Sequence, residues 1–422
     1  MPRTIAMILA GGRVDDLSVL TLKRPKSAVP FGGIYRIIDF PLTNLMRSGI
    51  DQIGILSQYR LGSLMDHVGL GAPWGLQGRR RGVKILPPYM VAGGGADWYR
   101  GTADAVYQNR DYVNSFKSDT TIVLSGDHVY RMDYRPLLRF HEESKADLTM
   151  AFKPVDVKEA TRFGIATLAG DGRIETYEEK PKKPRGNLAS LTIYVFKTDV
   201  LLAALDANAK TGKNFHFYDA ILPKTIKAGR AFGYVFDGYW EYSRTIDEYF
   251  SANMELVREP SQIDLAAWQV RTNPSQTSGG ELVPARFLRG SSVTSSIVPG
   301  GCRIEGEVVS SVLSPNVVLK KGARVVNSII LHDTVIGEGA LVENAILDKH
   351  VQVGAGARIG QGNAQVANRE IPHSLSRGIT VIGRDTSIQA KAKVGTNVLV
   401  HPDLDGLPRA SVADGATVKG RS

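Results

Sequence analysis

The sequence carries a single cysteine, Cys302, in 422 residues. One thiol excludes an internal disulfide framework and a zinc site built from cysteines. No apolar run approaches the roughly 18–20 residues that a membrane-spanning helix needs, so no membrane partner is expected. Aromatic residues amount to 8% and form no RNA-binding pattern. Helix-turn-helix and zinc-finger spacings are missing too, which argues against nucleic acid. Acidic residues are outnumbered: 42 Asp and Glu face 52 Lys and Arg, a formal charge of +10. That balance suits acidic partners, phosphorylated small molecules among them. The densest basic cluster, Arg79-Arg80-Arg81, reads as a solvated loop. The N-terminal stretch MPRTIAMILAGGR lacks the long apolar core and small-residue cleavage site of a signal peptide. A cytoplasmic location is the expectation.

The length exceeds the roughly 250–300 residues at which a single core stops growing, so two domains are expected. Over the first 250 or so residues, short apolar runs alternate with helical patterns. Ile5–Leu9, Ile53–Leu56, Thr121–Leu124, Leu148–Phe152, Ile165–Leu168 and Thr192–Phe196 read as strands. Asp104–Ser115 and Tyr134–Ser144 read as helices. This alternation predicts an α/β domain, Rossmann-like, with a mainly parallel sheet and helices on both faces. Ligands of such sheets sit beyond the carboxyl ends of the strands.

Past residue 259 the composition shifts to Pro, Ser, Thr, Gln and Gly, and residues 259–292 read as a linker. Beyond it the period changes. Val317, Ala323, Ile329, Val335, Leu341, Leu347, Val353 and Ile359 follow one another at steps of six, and Ile382, Ile388, Val394 and Val400 resume the step. Neither a helix nor an ordinary strand repeats at six; a parallel β-helix does. The expected organisation is a nucleotide-handling domain over 1–258, the linker, and a β-helix over 293–422. His332 and His350 lie in the repeat and read as surface histidines rather than as an acyltransferase site.

Three loops carry candidate chemistry. Gly11-Gly12 follows the first strand, with Lys23, Arg24 and Lys26 shortly after. Glycines let backbone amides approach phosphates, and cations neutralise them. Ser125-Gly126-Asp127-His128 closes the third strand. An acid there is placed to hold a divalent metal on nucleotide phosphates, or to cap the next helix. In Glu179-Lys180-Pro181, Pro181 fixes a turn and Lys180 is suited to a sugar phosphate; an exposed surface turn is the other reading.

The block Trp98-Tyr99-Arg100-Gly101-Thr102-Ala103-Asp104-Ala105-Val106, with Leu9–Arg13, Phe31-Gly32-Gly33, Tyr35–Phe40, Ser57-Gln58-Tyr59, Gly126–Tyr130, Glu179-Lys180-Pro181, Ile193–Phe196 and Gly238-Tyr239-Trp240, resembles the bacterial ADP-glucose pyrophosphorylases (glucose-1-phosphate adenylyltransferases). The likeness spans essentially the whole chain. It implies a left-handed β-helix at the C-terminus and a role in glycogen synthesis. The implied reaction makes ADP-glucose and pyrophosphate from ATP and glucose 1-phosphate, with Mg²⁺ as cofactor. It implies Lys26 and Asp127 as catalytic residues, Asp127 also as metal ligand. Gly11, Gly12, Gln58, Tyr99, Gly101 and Thr102 are implied for the nucleotide. Glu179, Lys180, Ser190, Tyr194, Phe217 and Trp240 are implied for the sugar phosphate. Lys23, Arg24 and Arg36 fall in stretches the family uses to sense phosphorylated allosteric effectors. The assembly it suggests is a homotetramer, or a hetero-oligomer with a related subunit.

Departures from the family pattern are specific. The usual catalytic arginine falls on Asp16, a loop glycine on Val14, and the second metal-binding aspartate on Tyr242. His216 stands where an aspartate usually precedes Phe217, Thr192 replaces a glycine and Ser27 a proline. These changes leave a second reading, a non-catalytic or weakly active regulatory subunit. A third, another sugar nucleotidyltransferase such as a mannose-1-phosphate guanylyltransferase, has only His216 in its favour.

Overall fold

The computed structural model describes residues 3–11, 15–78, 81–89, 98–274, 282–407 and 410–420. Arg79, Arg80 and Gly12 lie outside them. The chain divides into two compact units: Met1–Gly12, Phe40–Leu61 and Val68–Trp240 in one, Arg13–Asp39, Gly62–His67 and Glu241–Ser422 in the other. No helix among the described residues is long and apolar enough to cross a membrane.

The first unit is built on one sheet of nine strands: β1 (Thr4–Leu9), β2 (Gln52–Leu56), β3 (Gly82–Leu86), β4 (Thr120–Ser125), β5 (Leu148–Pro154), β6 (Gly164–Leu168), β7 (Ile174–Glu179), β8 (Leu188–Lys197) and β9 (Ala231–Val235). The main path runs β7-β6-β8-β4-β1-β2-β3, with β5 on β8 and β9 on β5. The six strands read from the sequence are present. The sheet is mixed where a mainly parallel one was expected. β1, β2, β3 and β4 are parallel neighbours, but β8 runs antiparallel to β4, β5 and β6. β3, β7 and β9 have no clear apolar run in sequence, because Gly82, the charges of β7 and Gly233 dilute the pattern.

The parallel strands are buried on both faces, so they read as unbroken apolar runs. Their register brings Leu9, Leu56 and Ser125 level. The loops carrying Gly11, Gln58 and Asp127 therefore leave one edge of the sheet together. The expected helix over 104–115 is two, Thr102–Gln108 and Arg110–Ser115, broken at Asn109. The helix Tyr134–Glu143 starts where the Asp133 carboxylate accepts from the Arg135 N–H at 3.0 Å, a side-chain cap. It carries His141, whose Nδ1 lies 2.8 Å from Thr149 Oγ1. Burial, helped by the Lys197 cation, pulls the His141 imidazole down to about 4.

That shift sets a pH dependence. Between about pH 6.5 and pH 4 the unfolded chain protonates this imidazole and the folded chain does not, so stability falls as the pH drops through that window. The full contribution is about 3 kcal/mol at 1.36 kcal/mol per pH unit. His141→Gln is expected to flatten the decline of melting temperature between pH 6.5 and 4.5.

Most of the second unit is a three-sided solenoid of short parallel strands. One face runs from Arg286–Phe287 to Ser387–Ile388, a second from Ser292–Thr294 to Ser411–Val412, a third from Val312–Leu313 to Thr417–Val418. A short helix, Leu265–Trp268, and the first of these strands fall inside the stretch expected as linker. The strict six-residue step needs one correction. Register pairs Arg324 with Leu341 and Leu341 with Arg358, so the middle coils take 17 residues, as two steps of six and one of five, while the last ones, pairing Val381 with Leu399 and Lys393 with Ser411, keep 18. The interior row is Leu319, Val325, Ile330, Ile336, Val342, Leu347, Val353 and Ile359. Val335 and Leu341, which the strict step places inside, are partly exposed. Asn327 and Asn344, both at positive φ, stack at one corner, the Asn327 side-chain N–H donating to Asn344 Oδ1 at 2.5 Å. His332, expected at the surface, is buried.

Candidate functional site

Within the first unit, the end of β1 is pressed against the end of β2. A Cβ at Gly11 would meet Ser57 Cα at 3.3 Å and the Gln58 nitrogen at 3.4 Å. Any side chain there must push the two loops apart. The Gln58 amide grips the Tyr99 backbone from both sides, accepting from its N–H at 2.6 Å and donating to its C=O at 3.0 Å. The Tyr99 phenol is turned inward: it donates to the Leu86 C=O at 2.9 Å and accepts from Asn109 at 2.8 Å. Burial pushes it up to about 12. Gly101 is fixed by space, because a Cβ would lie 2.4 Å from the Phe215 carbonyl oxygen. The Thr102 hydroxyl accepts from the Phe217 N–H at 3.1 Å. Gln58, Tyr99, Gly101 and Thr102 thus build and hold a loop whose backbone faces the edge; Tyr99 and Thr102 have their hydroxyls engaged within the fold.

Asp127 stands at the carboxyl end of β4. Its carboxylate accepts from the Ser125 hydroxyl and lies 3.4 Å from His128 Nε2. The Trp240 indole N–H, which can only donate, reaches His128 Nδ1 at 3.2 Å. That bond assigns the neutral His128 proton to Nε2, facing Asp127. The Trp240 ring meets His128 and Phe163 edge-on, at 5.1 and 5.6 Å between centroids. Among the described residues no three or more His, Cys, Asp and Glu form a metal cluster. A partly exposed carboxylate backed by two donors still fits Mg²⁺, which is commonly held by one or two carboxylates plus substrate phosphates and waters.

On the antiparallel side of the same sheet, Glu179 accepts from the Tyr177 hydroxyl at 3.0 Å, and the exposed Lys180 ammonium lies 3.8 Å from its other oxygen. Tyr177 was not read from the sequence. It lies two residues before Glu179 on β7, hence on the same face, and that spacing was the available signal. Burial first, then Tyr194 and Glu179, raises the Tyr177 phenol far above its ordinary value. Tyr194 is raised to about 12 by burial against the pull of Ser190. Both phenols stay protonated donors at any working pH. Phe217 is 2% exposed and packs on Tyr194 and Phe196, so it supports Tyr194 from behind.

Between Ser190 and Tyr194 the pairing with β5 slips, and Thr192 at its centre has φ +53°. A β-branched residue in the left-handed region is strained by roughly 1–2 kcal/mol. Thr192→Gly is expected to give a net gain of about 0.5–1 kcal/mol after the added chain entropy, or roughly 2 °C in a thermal melt.

Within the second unit, Lys26 is 2% exposed, in the turn Lys26–Ala28, with its ammonium 3.9 Å from the Tyr242 ring centroid. Asp16 lies 3.0 Å from His373 Nε2 and 3.9 Å from an Arg244 nitrogen. The Asp247 carboxylate accepts from the Ser376 N–H at 3.0 Å and hydroxyl at 3.2 Å. Both partners lie within this unit. Arg13 and Val14 lie outside the described residues.

A protein-family model described as nucleotidyl transferase matches residues 5–259, and one described as GlmU-like, C-terminal hexapeptide, matches 282–382. The glucose-1-phosphate adenylyltransferase of Thermosipho africanus is 45% identical over 414 residues, 96% of this chain and 97% of its own. The enzyme of that name from Thermomicrobium roseum is 43% identical over 442 aligned residues, covering 99% of this chain and 98% of its own. That of Acetivibrio thermocellus is 41% identical over 404, covering 94% and 93%. The chain belongs to the glucose-1-phosphate adenylyltransferase family.

For a member of this family, the second unit holds one more constellation, gathered around Arg24 and Arg36. Arg24 is buried against Asp348, which it contacts directly, and donates to the Leu20 C=O at 2.9 Å. Arg36 donates to the carbonyls of Ala28 and Ser63 at 3.3 and 3.2 Å. Burial, then the Arg24 cation, pulls the Arg36 guanidinium down to about 10. Lys349 is held well below the usual lysine range by burial and by Arg36 and Arg24. His332 is lowered by burial and by the Lys349 cation. Its Nδ1 finds no partner among the described residues. Lys23 stands apart on Asp403, at 2.5 Å. The sequence pointed to Arg24 and Arg36; Lys349, His332 and Arg384 come to them through the solenoid, from more than 290 residues away.

Proposed function

We propose that this chain catalyses transfer of the adenylyl group of ATP to glucose 1-phosphate, giving ADP-glucose and pyrophosphate. Full-length likeness to relatives bearing that enzyme name carries the reading. A glycine loop and an acid leaving the carboxyl ends of neighbouring parallel strands support it. A glucose 1-phosphate oxygen attacks the α-phosphorus in line, and the bond from that phosphorus to the β-phosphate oxygen breaks. The attacking group is already an anion, so no general base is needed; positioning and charge neutralisation are the work. The backbone at Gly11, with Gly12, and the Gln58–Thr102 loop hold the nucleotide. Glu179, Lys180, Ser190, Tyr194 and Trp240 orient the sugar phosphate, with Tyr177 as an added donor and Phe217 as support. Lys26 supplies a cation to the phosphates. Mg²⁺, when held by Asp127, neutralises charge on the nucleotide's phosphates.

The basic constellation reads as the effector site. A phosphorylated effector would relieve the mutual repulsion of Arg24, Arg36, Lys349 and Arg384. Binding of a sugar bisphosphate is expected to raise the melting temperature, and Lys349→Gln to remove most of that rise. We take the chain as a domain of 1–258, a linker of 259–292 and a left-handed β-helix of 293–422. We infer a cytoplasmic oligomer, homotetrameric or mixed with a related subunit, serving glycogen synthesis.

The test is pyrophosphate release by the purified chain with ATP, Mg²⁺ and glucose 1-phosphate. A second reading, a regulatory subunit, has one observation in its favour: Asp16 contacts His373 Nε2 at 3.0 Å and an Arg244 nitrogen at 3.9 Å where the family resemblance puts a catalytic arginine. Binding of ATP without release, restored by adding an active paralogue, would select it.

A further inference from the structure

Phe215, His216, Phe217 and Tyr218 are four consecutive rings that lead into the π-helical turn Phe217–Ile221. The backbone sends each to a different place. The Phe215 ring lies under the Arg100 guanidinium, at 4.1 Å. Phe217 is turned inward onto Tyr194 and Phe196, with centroids 5.8 and 6.0 Å away. Tyr218 stays 39% exposed, and its ring stacks on the His216 imidazole, 5.1 Å between centroids and 14° from parallel. His216 is tied from several sides. Its Nδ1 takes the Thr102 N–H at 3.4 Å, its side chain caps the Asp219 N–H, and its own N–H donates to the Asp219 carboxylate at 3.0 Å. The imidazole covers one face of the tyrosine ring, and the exposure belongs to the rest of it.

We propose that Tyr218 is a sugar-contacting residue of the glucose 1-phosphate site, its ring lying against the C–H face of the pyranose, and that His216 is the positioning residue that holds the ring. The inference rests on the reading of Glu179, Lys180 and Tyr194 as sugar-phosphate residues, all in the same unit as Tyr218. A pyranose presents hydroxyls around its rim and C–H groups on its faces. The rim calls for carboxylates and phenols, which Glu179 supplies together with Tyr177, bonded to it at 3.0 Å. A face calls for a flat, apolar partner. Phe217 is 2% exposed and cannot be that partner. Tyr218, next in the chain, presents its ring outward. The two groups are close enough to feel each other: burial first, then the carboxylates of Asp219 and Glu179, raises the Tyr218 phenol above its ordinary value. A ring already fixed by a stack gives up little side-chain freedom when a ligand binds, which is what the pairing with His216 contributes.

The experiment uses the full chain and reads the dissociation constant for glucose 1-phosphate, with that for MgATP beside it, so it does not depend on turnover. Tyr218→Ala is expected to weaken glucose 1-phosphate about 10-fold and to leave ATP within about twofold of the parent. Tyr218→Phe keeps the ring and is expected to stay within about threefold. His216→Asn keeps an acceptor for the Thr102 and Asp219 N–H groups but removes the stack; a loss of about three- to fivefold is expected. Saturation-transfer NMR adds a readout that a merely structural role would not move. Transfer from aromatic protons to the sugar C–H protons is expected in the parent and should fall sharply in Tyr218→Ala. Glu179→Gln tells the failures apart. If it weakens glucose 1-phosphate and Tyr218→Ala does not, the platform is overturned and the sugar site stands. If neither weakens it, the reading of the site falls and the inference with it. Equal losses in Tyr218→Phe and Tyr218→Ala would overturn the stacking in favour of the hydroxyl. A loss of ATP binding in place of sugar-phosphate binding would assign the ring to the nucleotide and overturn the proposal. If His216→Asn binds like the parent while Tyr218→Ala does not, the positioning role of His216 is overturned.

Discussion

Asp127→Asn should reduce pyrophosphate release by about a thousandfold or more while leaving the fold and its melting temperature nearly unchanged. The substitution keeps the side-chain shape and removes one unit of charge. A unit charge at about 4 Å from its partner is worth roughly 4 kcal/mol at an effective dielectric near 20. At 1.36 kcal/mol per decade of rate, that is close to three decades. The fold should tolerate the change because the substitution keeps the side-chain shape in a partly exposed position, and the approach to His128 Nε2, at 3.4 Å, is long. The Ser125 hydroxyl, which donates to the carboxylate, can bond an amide oxygen equally well. Initial rates across a Mg²⁺ series separate the cases. A rate recovered at high Mg²⁺ would mean Asp127 contributes affinity for the ion alone. A rate unrecovered at any concentration means it also orients what the ion holds. Wild-type rates at all Mg²⁺ levels would remove Asp127 from the reaction.

How much of this could be read beforehand depends on whether a residue's role is local. The glycine loop after β1 and the acid after β4 were legible because strand ends and their loops are contiguous in sequence. Parallel strands, buried on both faces, also announce themselves as unbroken apolar runs. The solenoid was legible from its six-residue step. The 17-residue length of its middle coils was not, because the five-residue side appears in sequence only as a slip of one position, as at Val335 and Leu341. The antiparallel placement of β8 was hidden as well: nothing in an apolar run records the direction of its neighbour. At the site, the hydrogen bonds of Tyr99 and Thr102 could not be foreseen, since their partners Leu86 and Phe217 are distant in sequence. The same holds for Lys349 and His332, which reach Arg24 and Arg36 only through the coiling of the solenoid.

Asp16→Arg is the complementary experiment, since it asks for a gain. On the same Coulomb figures alone, replacing an anion by a cation near phosphates is worth at least about a thousandfold. The structure lowers it. Asp16 is already countered by Arg244 at 3.9 Å and His373 at 3.0 Å, and its side chain is one-third exposed. Much of its charge is therefore offset and solvent-screened before any phosphate arrives. The expected gain in kcat is about 10- to 100-fold. Arg244 would then face a second guanidinium where it had a carboxylate. Loss of two partly exposed polar contacts, each worth up to about 1 kcal/mol, should lower the melting temperature by a few degrees. Tyr242 is kept in this test because its ring lies on Lys26. A faster, less stable enzyme would mean that the loop of Asp16 exchanged catalytic charge for an anchor on His373 and Arg244. A less stable protein with no gain in rate would mean that the anchor is the loop's function in this chain, and would favour the regulatory subunit over the weakened enzyme.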